Sequence, residues 1–191
     1  MTPADAFELA SEAILLVALG VALYTDLTRG KVYDWCTFPA ICLGLLLSYV
    51  AGAYEPAQGA ALVRALGGPL IASLAGLALA LGLFGVAYLL KMLGGGDVKL
   101  MCAVGALKGL QFFIVAAFFT ACAGAIIAVA VLIWRDRLKE GLRGSLMALF
   151  APLRFKKHRE AAPPDAAELT MIPYVGAIVV GTVAALVLEW L

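Results

Sequence analysis

Charge is the scarcest ingredient of this 191-residue sequence, with only 14% of its residues Asp, Glu, Lys or Arg. Soluble domains carry about 25% charged residues, so this chain lacks the makings of a wetted surface. Histidine occurs once, at His158, and the four cysteines (Cys36, Cys42, Cys102, Cys122) form no CxxC pair. A zinc or redox centre has no ligand set here, and the cysteines read as small buried hydrophobes. No Lys or Arg precedes Arg29, so the basic start of a cleaved secretory signal is missing and the first apolar run is expected to be retained. No internal repeat is visible, which argues against the inverted-repeat transporter designs. Soluble enzymes, nucleic-acid binders and disordered chains are excluded together.

What is present is apolar sequence: 64% of residues are hydrophobic and the mean hydropathy is +1.01. Six candidate membrane spans emerge, roughly 9–25, 36–53, 68–90, 98–111, 112–134 and 171–190. Residues 98–134 are divided around Lys108-Gly109, which leaves a fourth helix of about 20 Å against a hydrocarbon core of about 30 Å. A helix that short needs either a start sunk below the headgroups or a far end covered by protein. Small residues recur every fourth position at Ala72, Gly76 and Ala80, at Gly105 and Gly109, and at Gly124 and Ala128. Such faces let helices approach closely.

The distribution of charge says more than its +1 total. With six spans, 12 of the 14 basic residues fall in 26–35, 91–99 and 135–170, leaving Arg64 and Lys108 on the other side. The positive-inside rule makes those three segments cytoplasmic and both termini external. Within the long segment, Leu138, Leu142, Leu146, Leu149 and Leu153 recur at helical spacing among Arg137, Lys139, Arg143 and Arg154. That pattern reads as a basic amphipathic helix on the anionic inner leaflet. Ala161-Ala162-Pro163-Pro164-Asp165 follows as a linker, and His158 reads as a solvated side chain. The expected fold is all-α: one integral-membrane domain over 1–191, a polytopic bundle of about six transmembrane helices with the N-terminus outside.

Ionisable groups at membrane depth are functional suspects. Asp26 closes the first span in Leu23-Tyr24-Thr25-Asp26, and Asp97 closes the run Gly94-Gly95-Gly96-Asp97. Both fall at cytoplasmic helix ends, at similar depth. Two such carboxylates suit water-activated peptide hydrolysis, one taking a proton from water and the other polarising the carbonyl. Three glycines in a row are expected to break the helix, to reach positive φ, and to open the backbone beside the acid. The plainer readings are that Asp97 is an N-cap and that Asp26 pairs with Arg29 or Lys31. Asp34, on the same side, reads as a juxtamembrane loop acid.

These residues carry a resemblance. Gly94 to Met101, GGGDVKLM, resembles the GxGDxK motif of the type IV prepilin peptidases, members of the GxGD class of membrane aspartyl proteases. Asp26 with Leu27-Thr28-Arg29-Gly30-Lys31 is similar to that family's first catalytic Asp and its short basic loop. Ile172-Pro173-Tyr174 resembles the opening of its last span. The sequence departs at Val32-Tyr33-Asp34, where the family often has Ile-Pro-Asn.

The resemblance implies a peptidase of the cytoplasmic membrane that removes a short basic leader from prepilins or pseudopilins, without cofactor or metal. Asp26 and Asp97 would be its catalytic pair, with Gly94, Gly95, Gly96 and Lys99 as motif positions. Lys99 is expected to orient substrate, bias the pair's charge or meet a headgroup. The absence of a paired-cysteine segment makes the chain similar to the small, peptidase-only members of the tight-adherence (Flp) type or their archaeal counterparts, so no methyltransferase activity is expected. The rival classes are an ion- or proton-coupled transporter and a non-catalytic assembly subunit. The oligomeric state is left open.

Overall fold

A computed structural model describes residues 3–30, 32–54, 68–90, 93–134 and 174–191. They form five helices: α1 (Pro3–Arg29), α2 (Asp34–Tyr54), α3 (Pro69–Leu89), α4 (Gly95–Trp134) and α5 (Tyr174–Trp190). Stretches of four are long and apolar enough to cross a membrane: Ala6–Arg29, Asp34–Ala53, Pro69–Leu89 and Gly95–Ala130. The fifth, α5, is a shorter apolar helix. Helices are the expected solution in hydrocarbon, where every backbone N–H and C=O must be satisfied within its own segment. The amphipathic helix expected over 138–153, the linker at 161–165 and His158 lie outside the described residues. So do Lys31, Arg64 and Lys91.

Five helices stand where six spans were expected, because 98–111 and 112–134 belong to one element, α4. Straight, its 40 residues would reach about 60 Å, twice the hydrocarbon thickness. Gly109 breaks it, with φ 79° and ψ −175°. A positive φ of this kind is open to glycine at little cost. After the break the chain retraces its path. Lys108 meets Glu189 near the end of α5, whereas Gly124 lies against Tyr174 at its start. The first limb, 95–108, is the central helix of the bundle, and every residue from 100 to 107 is buried. Protein surrounds that stretch of eight residues on all sides, so its sequence is apolar without a polar face.

Glycine lets the neighbouring helices come close to that limb. A Cβ on Gly76 of α3 would stand 2.5 Å from the Gly105 carbonyl oxygen and 2.8 Å from the Gly109 carbonyl carbon. On Gly44 of α2, it would lie 2.9 Å from the Ala106 carbonyl. The small-residue faces at Gly76 and Gly105 therefore form a backbone-to-backbone seam, as their spacing suggested. Further out, Phe84 of α3 packs edge-on to Phe113, with centroids 6.2 Å apart. Ser48 of α2 and Ser73 of α3 share a buried hydrogen bond of 2.6 Å.

Candidate active site

The last turn of α1 carries Asp26, and the chain leaves that helix at Gly30, whose φ is 63°. The Gly30 N–H donates to the Asp26 carbonyl at 2.8 Å. This left-handed cap ends the helix just past the acid and turns the chain towards α2. The Arg29 guanidinium does not pair with Asp26. It donates to the Tyr33 hydroxyl at 3.2 Å and lies over that ring. Among the described residues, neither Asp26 nor Asp97 takes part in an ion pair.

Asp97 is buried, at 8% exposure. It is the third residue of α4 rather than its N-cap. Its carboxylate Oδ2 accepts a hydrogen bond from the Gly94 N–H at 3.1 Å, the reach-back of a capping box. The glycine run also differs from expectation. Gly95 and Gly96 lie inside the first helical turn, and the positive-φ glycines among the described residues are Gly30 and Gly109 alone. What the run supplies is close approach. A Cβ on Gly96 would sit 2.7 Å from the Val32 Cβ, and one on Gly94 would sit 3.1 Å from Asp97 Oδ2. The α1–α2 connection thus packs directly on the turn that holds Asp97.

That connection is pinned a second time. Lys99 Nζ donates to Asp34 Oδ1 at 2.5 Å and lies 5.7 Å from the Phe38 ring centroid. Asp34, read from the sequence as a loop acid, is the first residue of α2 and ties that helix to α4. The Lys99 and Asp34 side chains are 37% and 59% exposed, and solvated pairs of this kind contribute about 0.2–1 kcal/mol. Asp34→Asn is therefore expected to leave the thermal midpoint within about 4 °C of the parent. A scan of the purified protein in detergent checks it.

With Val32 and Asp34 held against the first turns of α4, Asp26 and Asp97 lie within electrostatic range of each other. Tyr174, at the start of α5, is also close enough to interact with Asp97. Its ring rests on Gly124, where a Cβ would come within 3.2 Å. Asp26, Gly94, Gly95, Gly96, Asp97 and Lys99 are therefore all at one end of the bundle. A model of the type IV leader peptidase family matches residues 13–129, more than half the chain and both acids with it. The chain belongs to the type IV leader peptidase family. No curated protein and no solved structure matches it.

Membership makes the chain a membrane peptidase acting on a prepilin-type substrate. Two features of this leader peptidase escape a reading of its sequence. Tyr174 lies beyond the matched residues, and its nearness to Asp97 depends on how α5 docks. The second is at the far end of the bundle. Lys108, expected to divide two spans on the external side, forms ion pairs with Glu12 at 3.0 Å and Glu189 at 2.8 Å. The signal available was the depth of Lys108 and Glu12 within apolar runs.

Proposed function

We propose that this leader peptidase is an aspartic endopeptidase whose Asp26 and Asp97 jointly activate the water that cuts a short basic leader from a type IV prepilin or pseudopilin. One observation carries the reading: two acids from different helices, both in apolar sequence, lie within electrostatic range at one end of the bundle. Acids at that depth are costly to keep without a function. The absence of side chains at Gly94 and Gly96 lets the Asp97 carboxylate and Val32 pack against the backbone that opens α4.

In this mechanism one carboxylate is ionised and takes a proton from water as the water oxygen attacks the scissile carbonyl carbon. The other is protonated and donates to the carbonyl oxygen. Collapse of the tetrahedral intermediate breaks the C–N bond. The leaving nitrogen takes the proton that the first carboxylate drew from water, and the second carboxylate recovers its proton from the intermediate's hydroxyl as the new carboxyl forms. Two close carboxylates favour sharing one proton over both being ionised, which supplies the required pair of states. No bond to the enzyme forms. Lys99, engaged by Asp34, holds α2 against α4 beside the site rather than gripping substrate.

The distribution of basic residues supports six crossings with both termini outside, and hence a site at the cytoplasmic face of the cytoplasmic membrane. A Lys- and Arg-rich leader stays on that side by the same rule. The test uses the purified protein in liposomes containing anionic lipid. Its substrate carries a basic leader, a glycine and then an apolar helix. Leader release is expected in the presence of a metal chelator, and with a methyl donor added the product should keep an unmethylated N-terminus. Failure to cleave, or cleavage only with added metal, would sink the proposal; a methylated product would overturn the restriction to peptidase activity.

A further inference from the structure

Lys108 is the most deeply buried charged side chain in the ion pairs of the described residues, at 7% exposure. It sits in α4 immediately before the break at Gly109, and two other helices and the returning limb of α4 converge on its ammonium. Glu12 of α1 accepts at 3.0 Å, Glu189 of α5 lies at 2.8 Å, and the Phe112 ring of the returning limb is 5.3 Å away. Glu12 is itself only 15% exposed. Ions withdrawn from water in an apolar bundle are costly unless held in good geometry. Nothing in the proposed chemistry uses these three.

Their placement along the helices gives them a use. On α1, Glu12 and Asp26 are separated by about 21 Å of helix; on the first limb of α4, Lys108 and Asp97 are separated by about 17 Å. The two helices run antiparallel, so fixing Glu12 against Lys108 fixes how far α1 has slid along α4. A slip of one residue would move Asp26 by about 1.5 Å relative to Asp97 and turn it through about 100°. At the acid end, Val32 and Asp34 pack on α4 from beyond Gly30, and α2 itself meets α1 through a weak hydrogen bond from the Cys36 thiol to the Ala18 carbonyl at 3.8 Å. The seam of small residues joins α3 and α2 to α4, and supplies no such stop for α1. We infer that Glu12, Lys108 and Glu189 form a positioning clamp that sets the axial register of α1 against α4, and thereby the separation of Asp26 and Asp97.

This inference rests on those two acids being the catalytic pair, and the experiment separates the two ideas. Lys108→Met, Lys108→Arg and Glu189→Gln are made in the full chain with its four cysteines replaced by alanine. Spin labels are placed at Thr28→Cys near the acid end of α1 and Gln111→Cys just past the break, both exposed positions. The interlabel distance then reads the axial slide directly, and leader cleavage is measured on the unlabelled proteins. Lys108→Met is expected to broaden or shift the distance distribution and to lower kcat about 100-fold, with KM within about twofold. Lys108→Arg, which keeps the cation, should restore both readouts. If Lys108→Met does not fold, Glu189→Gln, which removes the more exposed partner, should give the same pattern more weakly.

An unchanged distance distribution in the variants that fold would overturn the clamp, whatever their activity. A kcat left at the parent value despite a displaced α1 would overturn it as well. If the distance moves as expected while Asp26→Asn and Asp97→Asn still cleave, the catalytic assignment has failed and the clamp's effect on register stands.

Discussion

Asp97→Asn should lower leader cleavage by at least about 10²–10⁴-fold, the range associated with loss of a positioned acid or base. Asparagine matches aspartate in shape and keeps a carbonyl oxygen for the Gly94 N–H, so the start of α4 should survive the change. What is lost is the ability to ionise or to carry an acidic proton. Asp26→Asn should cost a similar amount, since neither acid can do both halves of the proton transfer. Because the two act as a unit, Asp26→Asn combined with Asp97→Asn should be scarcely slower than either alone. Initial rates on a prepilin-type substrate in membranes provide the check. Normal turnover by either single variant would remove the two-acid mechanism and leave the family's peptidase activity to other groups in this chain.

The second large effect is on the bundle itself. Gly105→Ala places a methyl group 2.5 Å from the Gly76 carbonyl oxygen and 2.6 Å from its carbonyl carbon. These are backbone atoms of a packed helix, so no side chain can rotate out of the way. Alanine favours an isolated helix over glycine by about 1 kcal/mol. Overpacking a close seam costs about 1–3 kcal/mol, more where backbone must separate. The clash should win, and α3 should be pushed off the central limb of α4. Gly82→Ala is the contrasting case, because nothing lies within 4 Å of its Cβ position. Thermal scans in detergent should show Gly105→Ala clearly destabilised and Gly82→Ala at or above the parent. Equal midpoints for the two would mean that the helices do not meet as closely as Gly76 and Gly105 place them.

The glycines divide according to what a sequence can convey. Gly109 is where chain length alone demands a turn. An apolar stretch far longer than a bilayer must turn, and the turn falls at the glycine beside the lysine. At Gly94, Gly95 and Gly96 the expectation of a broken helix was wrong for two of the three. Their freedom from a side chain matters because Val32 packs against Gly96 and the Asp97 carboxylate folds back on Gly94. Composition shows that a position has no Cβ, but not whether torsion or proximity requires it.

Charge divides in the same way. An acid in an apolar run is conspicuous, and so Asp26 and Asp97 could be picked out with the chain unfolded. Whether an ion has a partner is a different question. Lys99 and Asp34 are 65 positions apart, and Lys108 and Glu12 are 96 apart. Local sequence carries no trace of such a pairing. The sequence alone determined a membrane bundle and the two acids worth testing, because solvent preference and depth are properties of short segments. Tertiary structure decided what surrounds those acids and what braces them, because contact between distant helices depends on how each is rotated and how far it slides along its neighbour.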